Sequence, residues 1–155
     1  MRAKANIGGH PIHTMLVAFP IGLWVFSLAA DLIFMWRGNP AWDYVAFYSF
    51  AGGCAGALLA AVFGLIDLLG VKDTEAFRTG LMHAGCVVVA LVIFAASFYL
   101  RTAGGSHMVG VGSKIPVVLS FIGVIVLSVG GWLGGELVFR YGAGVDAATG
   151  INVEP

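Results

Sequence analysis

Five ionisable side chains suited to metal ligation or proton transfer fall within or beside apolar stretches of this chain: His10, His13, Asp67, His83 and Glu136. Imidazole is a neutral nitrogen ligand that suits zinc, copper and iron, and it is a common axial ligand of haem. A nearby carboxylate can accept the other ring N–H of a ligating histidine and so fix its orientation. Ionisable groups at membrane depth cost on the order of a few kcal/mol each, so several at one level point to pairing or to function.

Of the chemistries this set allows, a b-type haem is the leading expectation. His13 and His83 would be its axial ligands, and His10 would bind a propionate or orient a neighbour. Asp67 and Glu136 would accept the ligands' free ring N–H groups. A second chemistry is a transition-metal ion held by the histidines and carboxylates. Four-helix bundles do build such sites, but the fused Glu-x-x-His pattern of di-iron centres is missing here. A third is a structural network of histidines and carboxylates tying helices together. A transporter would need polar groups at both ends of the bundle, and Asp31 is the candidate at the far end. The simpler reading of Asp31 is a helix-end carboxylate paired with Arg37. Near that far end the only histidine is His107, in a loop, so one haem at most is expected.

These side chains need elements to hold them, and composition says which. Of 155 residues 59% are hydrophobic and 10% charged, with eight basic and eight acidic side chains, against roughly 25% charged in a soluble domain. Too few charges remain to coat a water-facing surface, and the balance excludes a nucleic-acid partner. About 20 apolar residues cross a bilayer as a helix, and four segments qualify, about 11–36, 42–69, 76–100 and 114–139. The expected fold is an all-α, up–down four-helix bundle in the membrane, one domain over 1–155. Pro11 suits an opening turn, Pro20 predicts a kink, and Thr74 is a plausible N-cap. Cys54 and Cys86 sit in apolar runs as small hydrophobes, with no disulfide framework implied. Gly52/Gly56, Gly130/Gly134 and Gly131/Gly135 have the spacing that lets helices approach closely or leaves room for a flat ligand.

Four crossings bring both chain ends and the Lys72 loop to one side, side A, and the Arg37 loop and the Gly104 loop to the other, side B. Side A carries Arg2, Lys4, Lys72, Arg78 and Arg140; side B carries Arg37, Arg101 and Lys114. The excess makes side A the cytoplasmic one. Trp36, Trp42, Tyr44 and Tyr99 fall near side B as an interfacial belt. His13 and His83 lie seventy residues apart and Asp67 and Glu136 sixty-nine. The pattern reads as a duplicated helical hairpin with an axis along the membrane normal.

The segments Gly9-His10-Pro11-Ile12-His13, Leu16-Val17-Ala18-Phe19-Pro20-Ile21-Gly22, Gly64-Leu65-Ile66-Asp67 and Gly131-Trp132-Leu133-Gly134-Gly135-Glu136-Leu137 resemble a bacterial family of predicted membrane proteins of unknown function, DUF2231. The resemblance spans about Gly8 to Gly144, and His-Pro-x-His is its most specific part. It implies a small four-helix membrane protein of the bacterial inner membrane. Some members of that family are joined to Rieske iron–sulfur domains, which implies electron transfer. No Rieske portion is present in this chain. The expectation is therefore an electron carrier between a quinone or redox subunit and a partner, with no substrate turnover of its own, acting as a homo-oligomer or as a subunit of a larger complex.

Overall fold

A computed structural model of the protein describes residues 3–103 and 114–145; His107 lies outside the described residues. The chain opens with a two-residue hairpin, β1 (Asn6–Ile7) and β2 (His10–Pro11), paired antiparallel. Gly8 and Gly9 form its turn at φ 58° and 86°, the left-handed conformations that a tight two-residue turn demands. The helices follow: α1 (Ile12–Leu16), α2 (Ala18–Arg37), α3 (Pro40–Leu68), α4 (Thr74–Ala103) and α5 (Ile115–Phe139). With α1 and α2 taken together, four spans are long and apolar enough to cross a membrane. In lipid a helix satisfies its own backbone hydrogen bonds, which is why these apolar runs form helices.

The interruption between α1 and α2 has a local cause. Pro20 donates no N–H, and its ring crowds the carbonyl four residues earlier, at Leu16, where α1 ends. The α2–α3 turn is closed by Gly38 at φ 68°, whose N–H reaches Phe34 O at 2.7 Å, and by Asn39, whose side chain caps Ala41 N at 3.0 Å. At the start of α4 the cap is Asp73 rather than Thr74: Asp73 Oδ1 accepts from Ala76 N at 2.8 Å. Asp73 stands one residue before the helix, and its carboxylate reaches the third helical N–H.

Packing is uneven. α2 lies chiefly on α3 and α4 chiefly on α5, while the α3–α4 and α2–α5 contacts are thinner. The molecule is thus two tight hairpins joined along a looser seam. The hairpins repeat each other at a spacing of seventy residues. Ser27 Oγ donates to Ala46 O at 2.8 Å, and Ser97 Oγ to Pro116 O at 2.8 Å. A methyl added at Gly53 would strike the Trp24 ring, and one at Gly123 the Phe94 ring. Trp24 and Phe94, themselves seventy apart, stack face to face across the seam with centroids 4.2 Å apart. Around them Phe50, Ala57, Ala90 and Leu127 complete the buried core. The two hairpins thus place equivalent contacts at one interval, and the interval corrects one expected correspondence. Asp67 and Glu136 are not equivalent positions; the partner of Asp67 in this register is Leu137.

Candidate cofactor site

At the end of the bundle that holds the described N- and C-terminal segments, His13 on α1 and His83 on α4 face each other. Their ring centroids are 6.3 Å apart and their planes almost perpendicular, at 84°. Each ring is anchored inside its own hairpin. His13 Nδ1 meets Ala60 O at 2.9 Å, and His83 Nδ1 meets Gly130 O at 2.8 Å, both over 47 residues of sequence. A carbonyl only accepts, so Nδ1 of each ring carries the proton, and in the neutral ring the lone pair is left on Nε2. Nε2 is therefore the nitrogen open to a ligand, its ring oriented by a backbone acceptor as ligating histidines commonly are.

Glycine makes room for both rings. A Cβ at Gly64 would lie 2.7 Å from His13 Cε1, and one at Gly134 would lie 3.1 Å from His83 Cε1. Gly130 and Gly134, spaced as GxxxG, thus serve helix–helix contact and the histidine together: Gly130 packs on Cys86 and Val87, Gly134 on the imidazole. On α3 the equivalent pair is Ala60 and Gly64. Gly56 lies against Pro20 and Gly52 against Leu23, whereas nothing crowds Gly131 or Gly135.

The other expected members of the site go elsewhere. His10 is exposed in β2, with Nδ1 3.2 Å from Gly8 O, and flanks the helix rather than joining it. Asp67 Oδ1 accepts from Ala5 N at 2.8 Å and pins the N-terminal hairpin to α3. Glu136 accepts from Arg140 Nη1 at 2.8 Å, and that hydrogen bond holds the Arg140 guanidinium above its ordinary range. The acceptor role expected of these two acids belongs to the Ala60 and Gly130 carbonyls. Main-chain carbonyls carry no sequence signal; the equal spacing from each histidine to a small residue was the only trace available. Among the described residues no three His, Cys, Asp or Glu side chains come together as a ligand set.

A second polar cluster lies at the opposite end, where the simpler expectation was a helix-end pair of Asp31 with Arg37. Asp31 and Arg101, each fully buried, form a bidentate ion pair, with Nη1 2.8 Å from Oδ1 and Nη2 on Oδ2. Arg101, counted among the basic residues of side B, is buried within α4, and Asp31 pairs with it rather than with Arg37. Arg37 instead lies over the Trp36 ring at 4.7 Å. The Arg101 guanidinium also lies 4.9 Å from the Phe50 ring centroid and reaches Ser120 Oγ at 3.4 Å. Ser97 and Ser120 both donate to Pro116 O, whose residue opens α5.

Fold and site define a four-span helical membrane protein with a paired-imidazole site between two repeated hairpins. Residues 9–147 match the family model for predicted membrane proteins, DUF2231, and the chain belongs to that family. No curated protein and no solved structure matches it.

Proposed function

We propose that the protein holds one b-type haem between His13 and His83 and carries electrons in the bacterial inner membrane, between a quinone or redox subunit and a partner. The observation that carries this reading is the pair of Nδ1–carbonyl hydrogen bonds, which leave two Nε2 lone pairs on rings 6.3 Å apart. An imidazole–metal–imidazole unit with metal–nitrogen distances of about 2.0 Å spans about 6 Å between ring centroids. The centroid spacing matches the length that one metal atom between two imidazoles requires. The seam supports a flat group in particular: the two ligands come from different hairpins, and the hairpins pack on each other less tightly than their own helices do.

Bound iron would supply a reversible one-electron couple. The chain's part is to present both ligands in one tautomer, with the apolar Trp24–Phe94 core packed between the hairpins. The excess of basic residues there makes side A the cytoplasmic face, with both termini on it.

The test is the visible spectrum of protein produced with adequate haem supply. A Soret band, and an α-band that sharpens on dithionite reduction, are expected; both vanish in His13→Ala and in His83→Ala. A colourless protein carrying stoichiometric zinc, copper or iron would move the same two histidines to a bare-metal site. A colourless, metal-free protein whose histidine variants behave as the unaltered chain would sink both readings.

A further inference from the structure

The buried ion pair occupies a special place in the repeat. Asp31 and Arg101 are seventy residues apart, the same interval that relates His13 to His83, Ser27 to Ser97 and Trp24 to Phe94. They are therefore the same position in the two hairpins, facing each other across the seam. At the other equivalent positions facing across it the pairs are alike or close in kind: imidazole with imidazole, aromatic with aromatic. Here alone among the pairs just described the two hairpins carry opposite charges, and both side chains are shut away from solvent.

We infer that Asp31 and Arg101 are the recognition element by which each hairpin selects the other kind of hairpin and rejects its own. Hairpins this alike present nearly the same inner face. A first hairpin packed on another first hairpin, from a second copy of the chain, would set Asp31 against Asp31 with no counter-ion. Two second hairpins would set Arg101 against Arg101. Either arrangement buries two like charges, which costs far more than the unlike pair. Only a first hairpin with a second hairpin closes the charge, and fixed bidentate geometry also sets the axial register. Buried polar groups have their best-attested use in this kind of pairing choice. The partner specified is thus an Arg-bearing hairpin, and the paired-imidazole site is assembled from unlike halves. This inference is independent of what the histidines hold.

Charge reversal in the full-length chain tests it. Asp31→Arg and Arg101→Asp should each lower the yield of monodisperse protein in detergent on the order of tenfold or more, and Asp31→Arg with Arg101→Asp together should restore it. Co-expressing the two single-reversal chains with different tags should also restore it, as a co-purifying complex, because each chain then supplies the hairpin the other lacks. The neutral Asp31→Leu/Arg101→Leu chain should show more association between two differently tagged copies, through like hairpins, than the unaltered chain does. The inference is overturned if a single reversal is tolerated, if neither the double reversal nor co-expression rescues, or if the neutral copies associate no more than the unaltered ones.

Discussion

The two ends of the bundle use the same equivalence between hairpins in opposite ways. At side A the equivalent positions carry one residue type, histidine, and each hairpin anchors its own ring on its own carbonyl. At side B the equivalent positions carry Asp31 and Arg101, and the bond runs between the hairpins. Like groups facing across a seam suit a ligand that both hairpins would hold equally. Unlike charges facing across a seam suit the choice of partner, because neither is tolerable without the other. The end with paired imidazoles is where chemistry is expected; the end with the ion pair is where assembly is decided.

The contrast can be broken most forcefully at side B. Arg101→Leu alone leaves the Asp31 carboxylate buried without a counter-ion, and about 3–5 kcal/mol of stability should be lost. Thermal unfolding in detergent checks it, with the double Asp31→Leu/Arg101→Leu variant expected to recover most of the loss. Next in size is the seam between the ends. Gly53→Leu drives a side chain into Trp24, where even a Cβ lies 2.6 Å from the ring, at about 1–3 kcal/mol or more. Its counterpart Gly123→Leu should behave alike, since Phe94 stands there; unequal melting shifts would show that the core does not repeat as its geometry does.

At side A the histidines should respond differently from the ion pair. His13→Ala and His83→Ala should abolish the haem spectrum while changing the melting temperature of haem-free protein by far less than Arg101→Leu does. If instead they unfold the chain as Arg101→Leu should, the two ends are both structural and the contrast collapses. Gly64→Val should weaken cofactor binding with both ligands intact, because its Cβ would lie 2.7 Å from His13 Cε1. The smallest effect is expected at Asp67→Ala. It removes one acceptor from the Ala5 N–H, a net of about 1 kcal/mol, and should be read as faster protease cleavage within the Asn6–Pro11 hairpin rather than as a melting shift.

Much of this was legible in the sequence. Runs of apolar residues of membrane length gave the four spans, and Pro20 and the Arg37 loop marked the breaks, because lipid permits so few backbone solutions. His13 and His83 stood out as ionisable residues in apolar surroundings. The rest was not legible for identifiable reasons. Asp67 and Glu136 looked like repeat partners because apolar neighbours align in more than one register, and a shift of one residue is invisible without hydrogen bonds. Asp31 looked like a surface acid because its partner lies on a different hairpin, while Arg37 is only six residues away.

By itself, then, the sequence determined the number and length of the spans, the places where they break, and which ionisable residues had to be accounted for. These depend on local backbone chemistry and on hydropathy, which neighbouring residues carry between them. The tertiary structure decided which polar group meets which: carbonyls rather than carboxylates behind the histidines, Arg101 rather than Arg37 opposite Asp31. Those choices depend on helix rotation and on the seam between hairpins, and an apolar helix looks much the same from every side until it is packed.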